Sequence, residues 1–399
     1  MEGETKTFLS NIKVVSRYFT HDGIEWRSFR SCLRRVCLDQ SNSWRAGLSW
    51  SIFFILTFVV PILSHFLLLC PTCDENHSRP YHVVVQSYIS VFATLSFVSL
   101  SRWHRKFGLR RFLFLDKLCD ASDKVQRGYA EQLQRSMKLI LLFGLPCSVA
   151  ECVYKVWWYV SGANEIPYYG NKYLSITILC TLEICSWVYR TSVFFLVCVL
   201  FQLLCHLQML KLEEFAQVFH KETEVRSILV EHLISRRNLR IISHRFRVFI
   251  LLSLIFVTAS QLNSLLMTLR TGANVNIFKA GELTLCSINL LAGLYIILRS
   301  ATKKHRRYSL MQLMFFFANW GSEDEEGDGD DELDNTKMVP IYAHTISSQK
   351  RQALVTYMEH NRAGVTVFGF MLDRTSLRSI FAIELPIFLW LLNKTIGIS

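Results

Sequence analysis

The sequence predicts an all-α membrane protein that crosses the bilayer seven times, with its N-terminus in the cytosol and its C-terminus outside. Three observations predict it. Apolar residues make up 51% of the 399 and fall into long blocks. Charged residues are only 19%, below the roughly 25% of a soluble domain. The basic residues lie between the apolar blocks, mostly in alternate connections.

A spanning helix needs about twenty mainly apolar residues to cross some 30 Å of hydrocarbon. Seven segments qualify: about Ala46–Cys70, Val83–Leu100, Leu139–Val160, Leu174–Leu204, Val248–Leu269, Ile277–Leu298 and Leu377–Leu392. The seventh is the shortest and contains Glu384 and Pro386. The segments 1–45, 101–138, 205–247 and 299–378 hold 8, 10, 8 and 11 Lys and Arg residues, or 37 of 44. The other three connections, with the helix ends beside them, hold 1, 2 and 2, and the C-terminal tail adds Lys394. Basic residues near helix ends stay cytosolic, so the bias orients the chain N-terminus in. Both N-x-[ST] sequons, at Asn76 and Asn393, then fall outside. Asn76 is the candidate glycan site, because Asn393 lies close to the membrane.

The same numbers exclude other classes. A net charge of +12 suits juxtamembrane loops beside anionic lipid, and no nucleic-acid-binding motif accompanies it. The first 45 residues are polar and hold Arg27, Arg30, Arg34 and Arg35 without an early apolar core. No cleavable signal peptide is expected, and the first span reads as a signal anchor. A G-protein-coupled receptor has its N-terminus outside and carries an Asp-Arg-Tyr-like end to helix three and an Asn-Pro-x-x-Tyr in helix seven; neither motif occurs. Phosphate loops, Rossmann fingerprints, H-E-x-x-H and G-x-S-x-G are also absent. Neither an enzyme nor a cofactor is expected. Most of the twelve cysteines lie in apolar blocks, where Cys behaves as a small hydrophobe. Cys70 and Cys73 flank the first outer loop, either as a strained disulfide or as two thiols, and two cysteines alone make no zinc site.

The chain divides into a cytosolic segment 1–45, six spans with cytosolic extensions over 46–298, a cytosolic loop 299–376, and the seventh span with its short tail over 377–399. From Cys205 to Arg247, Leu207, Leu210, Phe215, Phe219, Val225, Leu229 and Leu233 recur at helical spacing. Spans four and five therefore continue as helices into the cytosol. The acidic stretch within 322–335 lacks the spacing of an EF-hand and reads as a self-repelling linker.

Chemistry is expected where ionisable residues interrupt the apolar blocks. A central charge costs about 2.5–3.5 kcal/mol on insertion scales, against a gain of about 0.3–0.6 for each Leu, Ile or Phe. Such residues face the bundle or a wet cavity, usually with partners. Glu151 and Lys155 stand one turn apart, as a local ion pair or as part of an outer ligand pocket. Glu183 and Arg190 share a face but lie roughly 10 Å apart along the axis, so each needs a partner elsewhere. In the seventh span Leu377, Phe381, Glu384, Phe388 and Leu391, with Thr395, share one face. Around a symmetry axis they would form an acidic ring between apolar constrictions, which favours cations and gates by dewetting. The alternative pairs Glu384 with Arg190 inside one subunit.

Several blocks carry a family resemblance: Pro61-Ile-Leu-Ser-His-Phe66, Ser78-Arg-Pro-Tyr81, Gly108-Leu-Arg-Arg-Phe-Leu-Phe114, Tyr189-Arg-Thr-Ser-Val-Phe-Phe195, Arg240-Ile-Ile-Ser-His-Arg245, Gln349-Lys-Arg-Gln-Ala-Leu354, Asn361-Arg-Ala-Gly364 and Trp390-Leu-Leu-Asn-Lys-Thr-Ile-Gly-Ile-Ser399. From Trp44 to the C-terminus the chain resembles the plant gustatory-receptor-like proteins, a family of unknown function sometimes labelled extracellular ligand-gated ion channel. That family is distantly similar to insect odorant and gustatory receptors. The resemblance implies a seven-helix, N-in subunit of a homotetramer in the lipid bilayer, with helix seven lining the pore and an unknown small molecule as ligand. The insect gustatory signature ends helix seven with Thr-Tyr and then Gln-Phe. Glu384-Leu385 and Asn393-Lys394 stand in comparable places here, so no pore or ligand residue carries over by position. The expected function is a chemoreceptor-like, ligand-gated cation channel subunit. The rival is a non-conducting membrane scaffold acting through its cytosolic loops, in signalling or trafficking. A transporter would call for an internal repeat or paired broken helices, and neither is present. The plasma membrane is the default location, and an endomembrane is the alternative.

Overall fold

The structure, a computed structural model, describes residues 43–67, 81–107, 123–161, 172–219, 225–269, 277–320 and 365–396, together with 353, 356, 357 and 360. Cys70, Cys73, Asn76 and the acidic stretch 322–335 lie outside the described residues. In chain order the elements are α1 (Ser43–Phe54), a π-helical turn (Ile55–Val59), α2 (Val60–Leu67), α3 (His82–Phe107), α4 (Asp123–Ser161), α5 (Lys172–Phe219), α6 (Val225–Leu269), α7 (Ile277–Trp320), β1 (Thr366–Val367), β2 (Phe370–Met371) and α8 (Arg374–Ile396). Helical geometry is continuous through the π turn: Phe54 and Val60, which flank it, are both right-handed helical. α1, the turn and α2 together make the first predicted span.

Among the described residues six helices are long and apolar enough to cross a membrane: Trp44–Phe66, His82–Trp103, Tyr173–Lys211, Leu233–Leu269, Gly281–Thr302 and Arg374–Thr395. They match six of the predicted spans. The third predicted span, Leu139–Val160, lies within α4, part of which falls outside the residues whose side chains are described. α5, α6 and α7 run well past the length of their apolar cores, to 48, 45 and 44 residues.

The chain forms two compact units, and α5, α6, α7 and α8 contribute residues to both. The first unit holds residues 1–203, 251–297 and 381–399. Its inner helices are α5 and α7: 78% and 72% of the residues in their most apolar stretches are buried, against 11% in α8. Within α5, Val193 to Leu200 is an unbroken apolar run and every one of those residues is buried. Phe92 of α3 meets Phe194 of α5 edge-on at 5.2 Å and Phe256 of α6 at 6.0 Å. Gly293 lets α7 approach this group closely, since a Cβ there would overlap the Phe194 ring.

The second unit holds residues 204–250 and 298–380. It includes a hairpin that the sequence reading did not place. Thr366 pairs with Met371 and Val367 with Phe370, antiparallel, and the connecting pair, Phe368 and Gly369, has φ of +48° and +92°. Two positive φ values in a two-residue loop suit the right-handed twist of a hairpin. The Arg247 guanidinium lies over the Phe368 ring at 5.0 Å. The Thr366 amide donates to Ser243 Oγ at 3.1 Å, tying the hairpin to α6. Gly369→Ala is expected to cost about 1 kcal/mol, because alanine resists positive φ; thermal unfolding in detergent micelles measures it. The hairpin leads into Asp373, whose carboxylate accepts from the Ser376 amide at 2.7 Å as an N-cap does. That cap starts α8 at Arg374, earlier than the predicted Leu377.

Candidate functional site

Ionisable side chains gather inside the first unit. Lys155 Nζ of α4 donates to Glu183 Oε2 of α5 at 2.9 Å. It also lies 3.4 Å from Glu151 Oε1, one turn below it, and 3.6 Å from Glu282 Oε1 of α7. Glu282 accepts from His82 Nδ1 at 3.0 Å and from Gln86 Nε2 at 3.1 Å, both on α3. Glu183 also accepts a hydrogen bond from Ser64 of α2. Arg190 of α5 donates to the Gln86 side-chain oxygen at 2.5 Å, to the Gln86 carbonyl at 3.3 Å and to Ser90 Oγ at 3.0 Å. All these charged groups are buried. The three carboxylates share one ammonium, Lys155. Hydrogen bonds satisfy the oxygens of Glu183 and Glu282. Glu151 has the Lys155 charge beside it but no hydrogen bond. The pairing offsets part of the cost of burial.

Each of the four intramembrane polar residues predicted from sequence is in this network. Glu151 and Lys155 form more than a local pair, since Lys155 reaches two further helices. Glu183 and Arg190 take their partners on other helices. Arg190 is held by α3, which corrects the alternative expectation of an Arg190–Glu384 pair. Glu384 of α8 instead accepts from Thr258 of α6 at 2.5 Å. On the same face, Thr395 contacts Thr284 of α7 at 3.1 Å, and Phe381 meets Tyr295 of α7 edge-on at 5.6 Å. Glu384 and Leu391 are buried within the chain, Leu377, Phe381 and Phe388 are half-buried, and Ile383, Leu385 and Leu389 on other sides of α8 are exposed.

Beside the network lies a cavity of about 510 Å³ between the first span and α3, within the range typical of small-molecule sites. Its walls are apolar: Phe58, Ile62, Phe66, Val83 and Val91 line it. His82, Gln86 and Ser90 line it too and join it to the charges behind.

The π turn shapes this cavity. Widening the helix from four-residue to five-residue bonding displaces carbonyls from their usual donors, and such turns recur at functional sites. Two of those carbonyls are taken by neighbouring helices: Ser186 of α5 donates to the Leu56 carbonyl at 2.5 Å, and Ser90 of α3 to the Thr57 carbonyl at 3.0 Å. The Thr57 hydroxyl is left over. Thr94, Thr177, Thr181 and Thr395 each donate to the carbonyl four residues back, whereas Thr57, inside the π turn, makes no such bond. Its Oγ1 is buried without a hydrogen-bond partner; His82 Nε2 makes no hydrogen bond either but lies 3.9 Å from Glu183 Oε1. Both residues line the cavity.

Sequence reasoning missed Thr57, His82, Gln86 and Glu282. Glu282 carried a usable signal, being an acid inside the sixth apolar block. His82 lies one residue before the second predicted span. Thr57 carried none, because its role comes from the π turn.

The helices and their buried network define a multi-pass helical membrane protein, and the fold has a solved counterpart. The chain is similar to the insect olfactory receptor OR5 from Machilis hrabei, with a TM-score of 0.53 over 92% of this chain and 99% of that one at 13% identity. At that identity the likeness is one of fold. The family model described as protein of unknown function (DUF3537) matches residues 24–320 and 308–383, and the chain belongs to that family. No curated protein matches it.

Proposed function

We propose that the chain is a chemoreceptor-like subunit of a ligand-gated cation channel, in which a small molecule in the cavity acts on α8 through α7. One observation carries this reading. Glu282 of α7 holds His82 and Gln86 at the cavity, and the same helix grips α8 through Thr284 and Tyr295. A ligand that shifts His82 or Gln86 therefore pushes on the helix that positions α8. Conformational coupling requires a ligand to favour one arrangement over another, and these contacts are the route by which such a preference would reach α8. With seven crossings and the N-terminus in the cytosol, the cavity faces the outer leaflet. The resemblance to plant gustatory-receptor-like proteins and the insect-receptor fold support a homotetramer with α8 nearest the axis.

In this arrangement Glu384 is held by Thr258, and opening turns it toward the permeation path as part of an acidic ring. Reversal to Glu384→Lys is expected to lower cation-over-anion permeability severalfold, read from reversal potentials in planar bilayers. Unchanged permeability ratios count against the ring. The full-length protein is expected to purify as a tetramer and to carry current. A monomer without conductance supports the scaffold reading.

A further inference from the structure

The second unit carries a basic stripe on α6 that the proposed coupling route does not use. Arg236, Arg237, Arg240, Arg245 and Arg247 all precede Val248, where the fifth apolar span begins. No Asp or Glu occurs between Glu231 and Glu282, so α6 itself supplies no acid beside them. Two of these arginines are engaged within the unit. Arg236 Nη1 donates to the Tyr357 hydroxyl at 3.4 Å, and the Arg247 guanidinium covers the Phe368 ring. Arg237, Arg240 and His244 are exposed, and so is Val248. Spaced three and four residues apart, these four share one helical face. A basic stripe thus runs straight into the start of an apolar span.

Its height is set by the helix. α6 is unbroken from Val225 to Leu269, so position along it converts to depth at about 1.5 Å per residue. His244, Arg240 and Arg237 stand about 6, 12 and 16 Å before Val248 on that scale. The headgroup layer adds about 5–8 Å to each side of the hydrocarbon. His244 is therefore level with a lipid's glycerol phosphate, and the two arginines lie beyond it. A phosphatidylserine headgroup ends near His244. A phosphorylated inositol ring projects further, to the level of the arginines. Arginine's planar fork grips a phosphate through two parallel hydrogen bonds, and basic clusters beside a span attract such lipids.

We infer that the exposed face of α6 from Arg237 to His244 is a docking site for a phosphoinositide headgroup. Arg237 and Arg240 hold phosphates on the inositol ring, and His244 donates an N–H to the glycerol phosphate. The proposed orientation puts this end of α6 at the cytosolic leaflet; the binding chemistry itself does not depend on that orientation.

The probe is dioctanoyl phosphatidylinositol 4,5-bisphosphate, added to full-length protein in detergent micelles, with bound lipid counted by native mass spectrometry. Replacing both arginines, Arg237→Gln with Arg240→Gln, should weaken binding about fivefold for each, or about twenty-five-fold together. Both are exposed, so the unfolding temperature should not change. Arg240→Lys keeps the charge but loses the fork, and should give an intermediate affinity. Arg135→Gln, at an exposed arginine of α4, should leave binding unchanged. Dioctanoyl phosphatidylserine should bind the wild type no better than the bisphosphate binds the double variant. Full affinity in the double variant overturns the inference, as does phosphatidylserine binding equal to that of the bisphosphate. Inositol trisphosphate binding as tightly as the lipid also overturns it, because the site would then take a free phosphate. Selective lipid binding by a protein that carries no current supports this inference while defeating the channel reading. A current without the lipid preference does the reverse.

Discussion

Lys155→Met is expected to abolish the folded protein, or to lower its stability by about 3–5 kcal/mol. Lys155 stands among Glu151, Glu183 and Glu282 at 3.4, 2.9 and 3.6 Å, with its side chain 1% exposed. Methionine fills the space but leaves three carboxylates crowded at low dielectric, where like charges repel far more strongly than in water. Removing one partner of a buried ion group costs more than the group is worth, because the other charges stay behind. The double variant Lys155→Met, Glu183→Gln should therefore be more stable than the single one. The measurement is the fraction of monodisperse protein after detergent extraction, with thermal unfolding of what survives. A Lys155→Met protein with wild-type unfolding temperature would show that the network does not hold the bundle.

Gly293→Ala should destabilise by about 1–3 kcal/mol through overpacking. The added Cβ overlaps the ring of Phe194, and that ring has no slack. It is 3% exposed, with Phe92 edge-on at 5.2 Å and Phe195 at 5.8 Å. α7 must then move away from α5, which loosens the closest packing between two inner helices. Small residues at such crossings are what let membrane helices approach, since lipid offers no hydrophobic drive between them. Phe194→Leu vacates part of the ring volume, so the pair Gly293→Ala, Phe194→Leu should lose less than the two single losses added. Non-additivity of this kind is the mark of direct contact. Simple addition of the losses would place the strain elsewhere.

Much of the helical frame was legible in the sequence, and much of the site was not. The spans were readable because a membrane makes each crossing an independent local decision: about twenty apolar residues either occur together or do not. The five ionisable residues singled out within the spans were readable for the same reason, since each is expensive wherever it points. Their partners were not. Glu183 was visible as an acid in an apolar block, but nothing in its neighbourhood indicated Lys155 on one helix and Ser64 on another. Glu384 offers the sharpest case: its helical face was drawn from sequence, yet its partner is Thr258, a residue with no ionisable character to mark it. The hairpin at Thr366–Met371 was missed because two-residue strands with Phe-Gly between them carry too little pattern.

The sequence by itself determined that this chain is helical, apolar in blocks and furnished with buried charges at particular heights, because those properties depend on residues near one another along the chain. Only the tertiary structure decided which charges meet, where a π turn strands the Thr57 hydroxyl, and that His82 and Thr57 share one cavity. Those depend on how helices rotate against each other, and a helix can turn the same residue toward any of several neighbours. Packing chooses among them, through contacts such as Gly293 against Phe194 that no local segment encodes.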